Sequence, residues 1–291
     1  MAFKGFRNHY RESMPFTEKL LKDIHSLFSD SLSRWFSSGQ YKTLVTYPDY
    51  PSKKTTIYKI SKRLGWRITN KPVKHADFVL FFHDQTVKDG EDSFLQKQSR
   101  VINASCLDIS KRKVDQVHME VFEYNTFIDP RTYSGLALEK SDDNAQHDGI
   151  EIQCPIAEAK EGKIYQIIID NSREERFVDY RVPVMKGHVP LVYEKIKTAE
   201  KRYTNEVIAS ALFETSDKLS QEEQKGIAAF CETMGAEFCE LDVLRHNLDG
   251  KIYIVDLNTT PYGPPAGLSD QEHSIAVEKL TESFKMQFDE S

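Results

Sequence analysis

Two runs near the end of the chain alternate between apolar and polar positions with a period of two residues. In residues 239–244, CELDVL, the apolar side chains of Leu241 and Val243 alternate with acidic positions, and residues 252–258, IYIVDLN, show a similar alternation. Such alternation predicts β-strands that bury one face. The dipeptide Asp249-Gly250 lies between the runs and is a strong signal for a hairpin turn. The pattern therefore predicts a β-hairpin.

The length of the hairpin loop decides which side chains face each other across the two strands. A two-residue turn would set Asp242 against Leu257, because a slip of one residue moves every side chain to the other face. A three-residue loop at 248–250 instead brings acids together, since directly opposed residues share a face. Its expected pairs are Asn247 with Lys251, Asp242 with Asp256, and Glu240 with Asn258.

In that register Asp242, Asp256 and Asn258 place two carboxylates and an amide oxygen within reach of one another. Opposed carboxylates repel and need a cation to offset the repulsion. Oxygen ligands without nearby Cys or His suit a hard cation, so we predict Mg²⁺, with Mn²⁺ as an alternative ion. Nucleotide phosphates commonly complete such a site, which predicts a nucleoside triphosphate ligand. The alternative is an ordinary hairpin with polar residues on its wet face.

Helix and strand patterns alternate in the first hundred residues. Behind Pro15, apolar positions from Phe16 to Trp35 have helical spacing and predict an amphipathic helix within residues 1–40. This helix either packs on the body of the protein or forms a homodimer contact. The patterns that follow predict a small parallel-sheet domain. Its expected elements are a strand at 42–47, a helix at 55–64, and strands at 66–69 and 78–82.

Short strands and helix signals follow in the rest of the chain. Residues 141–149 form a polar loop of turn-forming residues. Ser220 and Glu223 form a capping box for a helix that ends at Gly235. The remaining expected elements are a helix starting at Ser110, strands at 136–140, 164–169 and 176–185, and a last helix at about 274–288.

Composition excludes several classes of protein. The 291 residues carry 39 Lys and Arg against 45 Asp and Glu, a net charge of −6 without an extended basic stripe, so we expect no nucleic-acid partner. The four cysteines occur singly, which is typical of buried thiols in a reducing compartment. No apolar run approaches a membrane span, and the N-terminus lacks the apolar core of a signal peptide. We therefore predict a cytoplasmic protein without a membrane partner.

Asp242, Gly250 and the run IYIVDLNTTP at 252–261 resemble the carboxy-terminal signature of the ATP-grasp superfamily. There, an acid on one strand and an acid-x-Asn pair on the next bind the two Mg²⁺ ions of ATP. The resemblance covers about residues 42–285 and implies an α/β fold with α+β lobes. The segments it implies are a helical N-terminal extension (1–40), a pre-ATP-grasp parallel α/β domain (41–105), a first ATP-grasp subdomain (106–165) and a second subdomain with the metal hairpin (166–291).

The resemblance also implies residues that hold the nucleotide phosphates. Lys111 or Lys113 resembles the early lysine that reaches phosphate, although either could simply solvate an exposed helix start. Lys140 resembles the lysine before the phosphate-covering loop, which here contains a single glycine. In that loop Ser141 and Asn144 are expected to donate to phosphate oxygens.

Further along the chain, residues 166–170, including Gln166 and Ile168, match the hinge whose backbone contacts adenine. Asp179-Tyr-Arg181-Val is similar to the D-x-R-x-x-V strand of ligases that add glutamate to protein termini. In that comparison Lys195 is expected to hold phosphate and Arg202 to act in catalysis.

The activity that the resemblance implies is an ADP-forming ligation. ATP would phosphorylate a small-molecule carboxylate, and an amine would then displace phosphate to give an amide. Arg181 and Arg202 are the expected catalytic residues, because a guanidinium matches carboxylate or phosphate oxygens in pairs. Two alternatives stay open: a small-molecule kinase on the same fold, and an ATP-binding regulatory protein without catalysis.

At position 240 this chain differs from some members of the superfamily. D-alanine–D-alanine ligases carry an arginine two residues before the first metal-binding acid, and this chain has Glu240 there. Arg181 and Arg245 are the candidates to replace that arginine. Arg181 also has a plainer interpretation, an ion pair with Asp179 or Glu175 on an exposed strand.

Overall fold

The computed structural model describes residues 42–90, 92–142, 148–204 and 206–290. The helix predicted within residues 1–40 lies outside these ranges. Among the helices that are described, none combines the length and the apolar character needed to cross a bilayer.

The first lobe is the small parallel sheet that the sequence predicts. In chain order its elements are β1 (Thr43–Pro48), α1 (Thr56–Arg63), β2 (Arg67–Thr69) and β3 (Phe78–Phe82). β1 lies in the middle and runs parallel to both neighbours. Leu44, Ile57 and Leu80 are fully buried where the helix packs on the sheet. The predicted element order is confirmed, and each boundary lies within one residue of its predicted position.

Two antiparallel sheets form the rest of the described chain. The smaller consists of β4 (Gly135–Ser141), β5 (Ile150–Cys154) and β6 (Lys163–Ile167), with β4 in the middle. The larger consists of β7 (Ser172–Arg173), β8 (Arg176–Met185), β9 (Val192–Lys197), β10 (Ala209–Phe213), β11 (Phe238–Arg245) and β12 (Ile252–Asn258). Its strand order is β10-β9-β8-β11-β12, and β7 pairs with β8.

Four helices accompany these sheets. They are α2 (Lys111–Phe122), α3 (Thr215–Lys218), α4 (Gln221–Met234) and α5 (Asp270–Phe284). α2 and α4 pack beside each other on one face of the larger sheet, where Val182 and Leu241 are fully buried. Side chains alternate across a strand, so the neighbouring residues Arg181 and Asp242 lie on the opposite face. That opposite face carries the polar residues considered below.

Phe284, near the end of α5, connects the last helix to the first lobe. Its ring is fully buried and lies 5.9 Å from Trp66, 6.4 Å from Phe78 and 5.9 Å from Phe238 between ring centroids. Aromatic side chains bury more apolar area than other residues and prefer such edge-to-face contacts. The end of the chain therefore packs against the first sheet and the first residue of β11 together.

The helix ends follow the capping residues that the sequence shows. Ser110 caps α2 by accepting the Lys113 backbone N–H, and Ser220 and Glu223 form the predicted capping box of α4. Gly235 ends α4 with φ +67°, and a Cβ there would lie 2.7 Å from the Ser105 Cβ. Glycine is required at this position both for the left-handed backbone and for the space.

Some elements differ from the prediction. The last helix begins at Asp270, four residues before the predicted start, because Ser269 and Glu272 form a second capping box. The sequence pattern did not predict four of the strands, β5, β7, β9 and β10. Polar residues such as Glu194 and Lys195 are buried in β9 by partners on adjacent strands, and sequence alone does not show those partners.

His118 on α2 makes stability depend on pH. Its ring is fully buried against Phe122, Tyr124 and Tyr253, and neither ring nitrogen has a hydrogen-bond partner among the described residues. Burial lowers its pKa from 6.5 to about 4. The unfolded chain therefore binds more protons between these values, and the free energy of unfolding falls as pH drops from 6.5 to 4. His118 alone should contribute a loss of about 3 kcal/mol, obtained by urea unfolding at each pH as the difference in pH dependence between wild type and the variant described next.

Replacing His118 by Phe should remove that loss, because a phenyl ring has no nitrogen to protonate. The matched control is His75→Phe, since His75 is exposed and its substitution should leave the pH dependence unchanged. An unaltered pH dependence in His118→Phe would contradict the assignment.

Candidate active site

An open cavity lies between the smaller and the larger antiparallel sheets. It encloses about 1030 Å³ when the open space at its mouth is included. Eight of the residues singled out by the sequence line it: Lys111, Lys140, Gln166, Ile168, Lys195, Arg202, Asp242 and Asp256. Residues more than one hundred positions apart therefore meet in one place.

The hairpin brings together the acids that the sequence predicts, but its loop length and its register near the turn differ from the prediction. Asp242 pairs with Asp256 and Glu240 with Asn258, as expected. Nearer the turn, however, the His246 backbone N–H donates to the Lys251 carbonyl, so the predicted pairing of Asn247 with Lys251 is wrong. The loop has four residues, 247–250, and the register shifts by one between Asp242 and Val243. A β-bulge at Val255 absorbs the extra residue and restores the opposed acids.

The opposed pair has the properties of a cation site. Asp256 Oδ1 is buried and has no hydrogen-bond partner among the described residues. Burial, and then the charge of Asp242, raises the pKa of Asp256 to about 6. Burial also acts to raise the pKa of Asp242, but Lys195 and Arg181 outweigh it and lower that pKa to about 2. An anionic oxygen without a donor is costly to bury, and a Mg²⁺ ion bound here would satisfy it.

The donor set suits Mg²⁺ only with help from a ligand. No three Asp, Glu, His or Cys side chains form a metal-binding cluster in the described ranges. Mg²⁺ commonly takes one or two carboxylates and completes its shell with water and phosphate oxygens. The residues present therefore fit a Mg²⁺ ion that arrives with a polyphosphate.

Asn258 lies beside the pair, but its oxygen is already engaged. Asn258 Oδ1 accepts from the Thr260 backbone N–H at 2.7 Å and from Thr260 Oγ1 at 3.1 Å. Thr260 Oγ1 also lies 3.3 Å from Asp84 Oδ1. As a metal ligand, Asn258 would have to exchange at least one of these bonds for the cation.

Three lysines surround the acids. Lys195 Nζ lies 3.3 Å from Asp242 Oδ1. Lys111 and Lys140 both lower the pKa of Asp256, which places their charges near it. Burial and then the charge of Lys111 lower the pKa of Lys140 to about 8. Two ammonium groups that repel each other in a buried cavity are stabilised by a polyanion.

The structure also distinguishes the two lysines at the start of α2. Lys111 lines the cavity, whereas Lys113 is absent from its described lining. We expect Lys111→Met to weaken binding of the non-hydrolysable ATP analogue AMPPNP about tenfold, through loss of a charge-assisted hydrogen bond. Lys113→Met should change the dissociation constant less than about twofold. Calorimetric titration of both variants checks this, and a larger loss in Lys113→Met would reverse the assignment.

The structure describes residues 141–142 and 148–149 of the loop that is predicted to cover the phosphates. Asn144 lies outside the described residues. The Ser141 hydroxyl donates to Asp148 Oδ2 at 2.6 Å, accepts from Lys163 at 3.0 Å, and does not line the cavity. The expected phosphate contact of Ser141 therefore has no support from this geometry. Asp148 and Gly149, at the other end of the loop, line the cavity instead.

The hinge lies at the end of the cavity where β6 leaves the smaller sheet. Gln166 is buried and donates from Nε2 to Thr126 Oγ1 at 2.5 Å. Ile168 follows the last residue of β6 and lines the cavity. The contact of the Ile168 backbone with adenine stays a prediction.

Arg202 also lies at this hinge end. Its guanidinium donates to the Ile169 carbonyl at 2.7 Å and lies 4.1 Å from the Phe177 ring centroid. Within the described chain none of its contacts reaches Asp242 or Asp256. The geometry therefore gives no support to the expectation that Arg202 stabilises the transition state, because its guanidinium is bound at the hinge end of the cavity.

Arg181 and Glu240 form a buried ion pair beside the acids. Arg181 Nε lies 2.7 Å from Glu240 Oε1 and 3.5 Å from Asp242 Oδ1. Arg181 therefore pairs with neither Asp179 nor Glu175, and the plainer interpretation of this residue is wrong. Arg245 is bound to Glu223 at 2.8 Å on α4, on the helix-covered side. Of the two arginines that could replace the one absent at Glu240, only Arg181 faces the site.

Sequence analysis missed several residues of the cavity. Lys197 pairs with Asp179 at 2.8 Å, and Asn171 donates to the same carboxylate at 2.8 Å. Tyr203 donates to Glu151 at 2.6 Å and closes one side of the cavity. The alternation of Lys195 and Lys197 was the available signal, since both point to one face of β9.

The fold matches that of ATP-grasp ligases of known structure, which confirms the predicted fold class. The structure matches the D-alanine–D-alanine ligase from Bacillus anthracis complexed with ATP, with a TM-score of 0.52 and 11% identity, over 86% of this chain and 97% of that chain. It matches the ATP-grasp ligase PsnB complexed with a phosphomimetic variant of its minimal precursor, Mg and ADP equally well, at 0.52 and 11%, over 86% and 99%. No protein-family model and no curated protein sequence matches the chain.

Proposed function

We propose that this chain is a Mg²⁺-dependent, ADP-forming ligase that couples a carboxylate to an amine. The observation that carries the proposal is the cavity in which Lys111, Lys140 and Lys195 surround the opposed Asp242 and Asp256. The ATP-grasp fold supports it, as do the ATP, ADP and Mg named for the two matching ligases. Phosphoryl transfer needs charge neutralisation and alignment rather than covalent work by the protein, and the lysines and acids of this cavity are of the types that would supply both.

Each group in the cavity has a distinct task. Ile168 would receive adenine through its backbone, and Arg202 would stay at that end of the nucleotide. Lys111 and Lys140 would neutralise the triphosphate, while Asp242 and Asp256 would hold Mg²⁺. A bound Mg²⁺ supplies positive charge to the β and γ phosphate oxygens.

The reaction then proceeds in two displacements. A carboxylate oxygen of the first substrate attacks the γ-phosphorus, the bond from phosphorus to the bridging oxygen breaks, and ADP leaves. The amine of the second substrate attacks the carbonyl carbon of the acyl phosphate, the C–O bond to phosphate breaks, and the nitrogen loses a proton. Arg181, beside Asp242, is the side chain that would face the developing negative charge.

An ADP-release screen tests this proposal. Purified protein with Mg²⁺ and ATP is incubated with a matrix of carboxylates and amines, and ADP is measured by a coupled assay. We expect ADP only where both partners are present, with an amide product in the mass spectrum. A stable phosphorylated product from one acceptor would identify a kinase instead. AMPPNP binding without ADP from any pair would identify a non-catalytic nucleotide-binding protein.

A further inference from the structure

Three charged side chains from three different elements meet beside the candidate metal site. Arg181 of β8 pairs with Glu240 of β11, and Lys59 of α1 contributes to the field on the same carboxylate. Lys59 Nζ donates to the Gly263 carbonyl at 2.6 Å, and Arg181 donates to the Tyr262 carbonyl at 3.4 Å. The two cations thus bind the carbonyls of two consecutive residues, Tyr262 and Gly263. We call Lys59, Arg181 and Glu240 the charged triad.

The charged triad combines two cationic side chains with a single carboxylate. Glu240 is 2% exposed, so its charge is directed at the two cations rather than screened by water. Burial lowers the pKa of Lys59 to about 8, which leaves it protonated at neutral pH. Asp242 lies 3.5 Å from Arg181, but it is already assigned to the cation site. Within the described structure Lys59 donates to a neutral carbonyl and forms no ion pair, so its charge is available to an anion.

Two hydroxyl groups next to the charged triad lack partners. Thr56 Oγ1 and Tyr193 OH are buried without a hydrogen bond to any described residue. A Cβ added to Gly263 would lie 2.8 Å from Thr56 Oγ1 and 3.4 Å from Glu240 Oε2, which places the threonine hydroxyl at the triad. Tyr193 is the cross-strand neighbour of Arg181. Buried polar groups are nearly always satisfied in proteins, so two orphans at one place indicate a missing ligand.

The triad also lies at the right place for the phosphoryl acceptor. Along β11, Glu240 lies two residues from Asp242 on the same face, in the direction away from the turn. The hinge end of the cavity receives the nucleotide base, so its phosphates end at Asp242 and Asp256. A group bound at Arg181 and Lys59 would stand on the far side of those phosphates, where an in-line attack has to begin.

We propose that Lys59 and Arg181 form the binding site for the carboxylate substrate, and that this substrate is a small polar carboxylate carrying a hydroxyl or amino group. The carboxylate oxygens take the donors that now contact the Tyr262 and Gly263 carbonyls. The second polar group of the substrate satisfies Thr56, Tyr193 and Glu240. The role of Lys59 is the new part of this proposal, because this residue lies in the first lobe and has no role in the proposed function. This inference rests on the proposed function.

Ligand-observed NMR on the intact chain tests the inference. The protein is saturated with Mg²⁺ and AMPPNP, and glycolate, glycine and propionate serve as probes in separate titrations. We expect glycolate or glycine to bind at least about tenfold more tightly than propionate, which lacks the second polar group. Lys59→Met should weaken the preferred probe about tenfold and leave AMPPNP binding unchanged. Lys62→Met, on the exposed side of the same helix, is the matched control and should behave as wild type.

Each other outcome has a definite meaning. If wild type binds none of the probes, or propionate as tightly as the others, the substrate class is wrong. If Lys59→Met binds the probe as tightly as wild type, Lys59 is not part of the site and only ties the first lobe to residues 261–263. If wild type does not bind AMPPNP at all, the proposed function is wrong. Failure of the carboxylate-site proposal and failure of the proposed function therefore give different results.

Discussion

Replacing Asp256 by Asn should abolish ADP formation while leaving the fold intact. The change removes one of two carboxylates that would hold Mg²⁺, and a metal ion contributes several kcal/mol to transition-state stabilisation, so we expect a loss of at least about a hundredfold in kcat/KM. Asp256 Oδ1 is buried without a hydrogen-bond donor in the described structure, and Asp242 faces it. Neutralising it should therefore leave the melting temperature of the metal-free protein equal or higher.

The matched control is Asp249→Asn in the turn of the same hairpin. Asp249 is exposed and pairs with His246 at 2.9 Å, away from the cavity. Its substitution should leave ADP formation within about twofold of wild type. If Asp256→Asn turned over at the wild-type rate, the hairpin would not be the metal site.

Replacing Lys140 by Met should have the second-largest effect, on nucleotide affinity. Lys140 lies near the end of β4, beside Lys111 and Asp256, and a charge-assisted hydrogen bond from it to phosphate would be worth about 1.5–3 kcal/mol. We therefore expect the AMPPNP dissociation constant to rise between about 10-fold and 150-fold in a calorimetric titration. Lys140→Arg should recover part of the loss, because the charge is kept while the geometry changes.

Lys160→Met is the control for Lys140. Lys160 is largely exposed and pairs with Glu139, the residue before Lys140, on the other side of the strand. Its loss should leave AMPPNP affinity at the wild-type value. Equal affinity in Lys140→Met and wild type would show that the phosphates bind elsewhere.

The hairpin shows how far a sequence pattern can predict a site. The alternation of Leu241 and Val243 with acids fixed the buried face, so the pairing of Asp242 with Asp256 was predictable. The bulge at Val255 was not, because it depends on how the turn closes. The predicted loop of three residues was wrong, because the loop has four. The predicted pairing of Asp242 with Asp256 is nevertheless correct, because the bulge shifts the register by one residue.

The partner of Arg181 could not be predicted from the sequence. Arg181 and Glu240 are far apart along the chain, and their contact depends on β8 lying beside β11. β9 was missed for a similar reason, because cross-strand partners bury its charged residues such as Lys195. Local pattern identifies which residues share a face, whereas strand order decides which faces meet.

The most direct test of the central claim uses the carboxylate found in the ADP-release screen, labelled with ¹⁸O in both oxygens. The reaction is run with Mg²⁺, ATP and the amine, and the released inorganic phosphate is analysed by mass spectrometry. Activation through an acyl phosphate transfers one carboxylate oxygen to phosphorus, so the account predicts one ¹⁸O atom in each phosphate formed. Phosphate without ¹⁸O, released together with ADP, would contradict it.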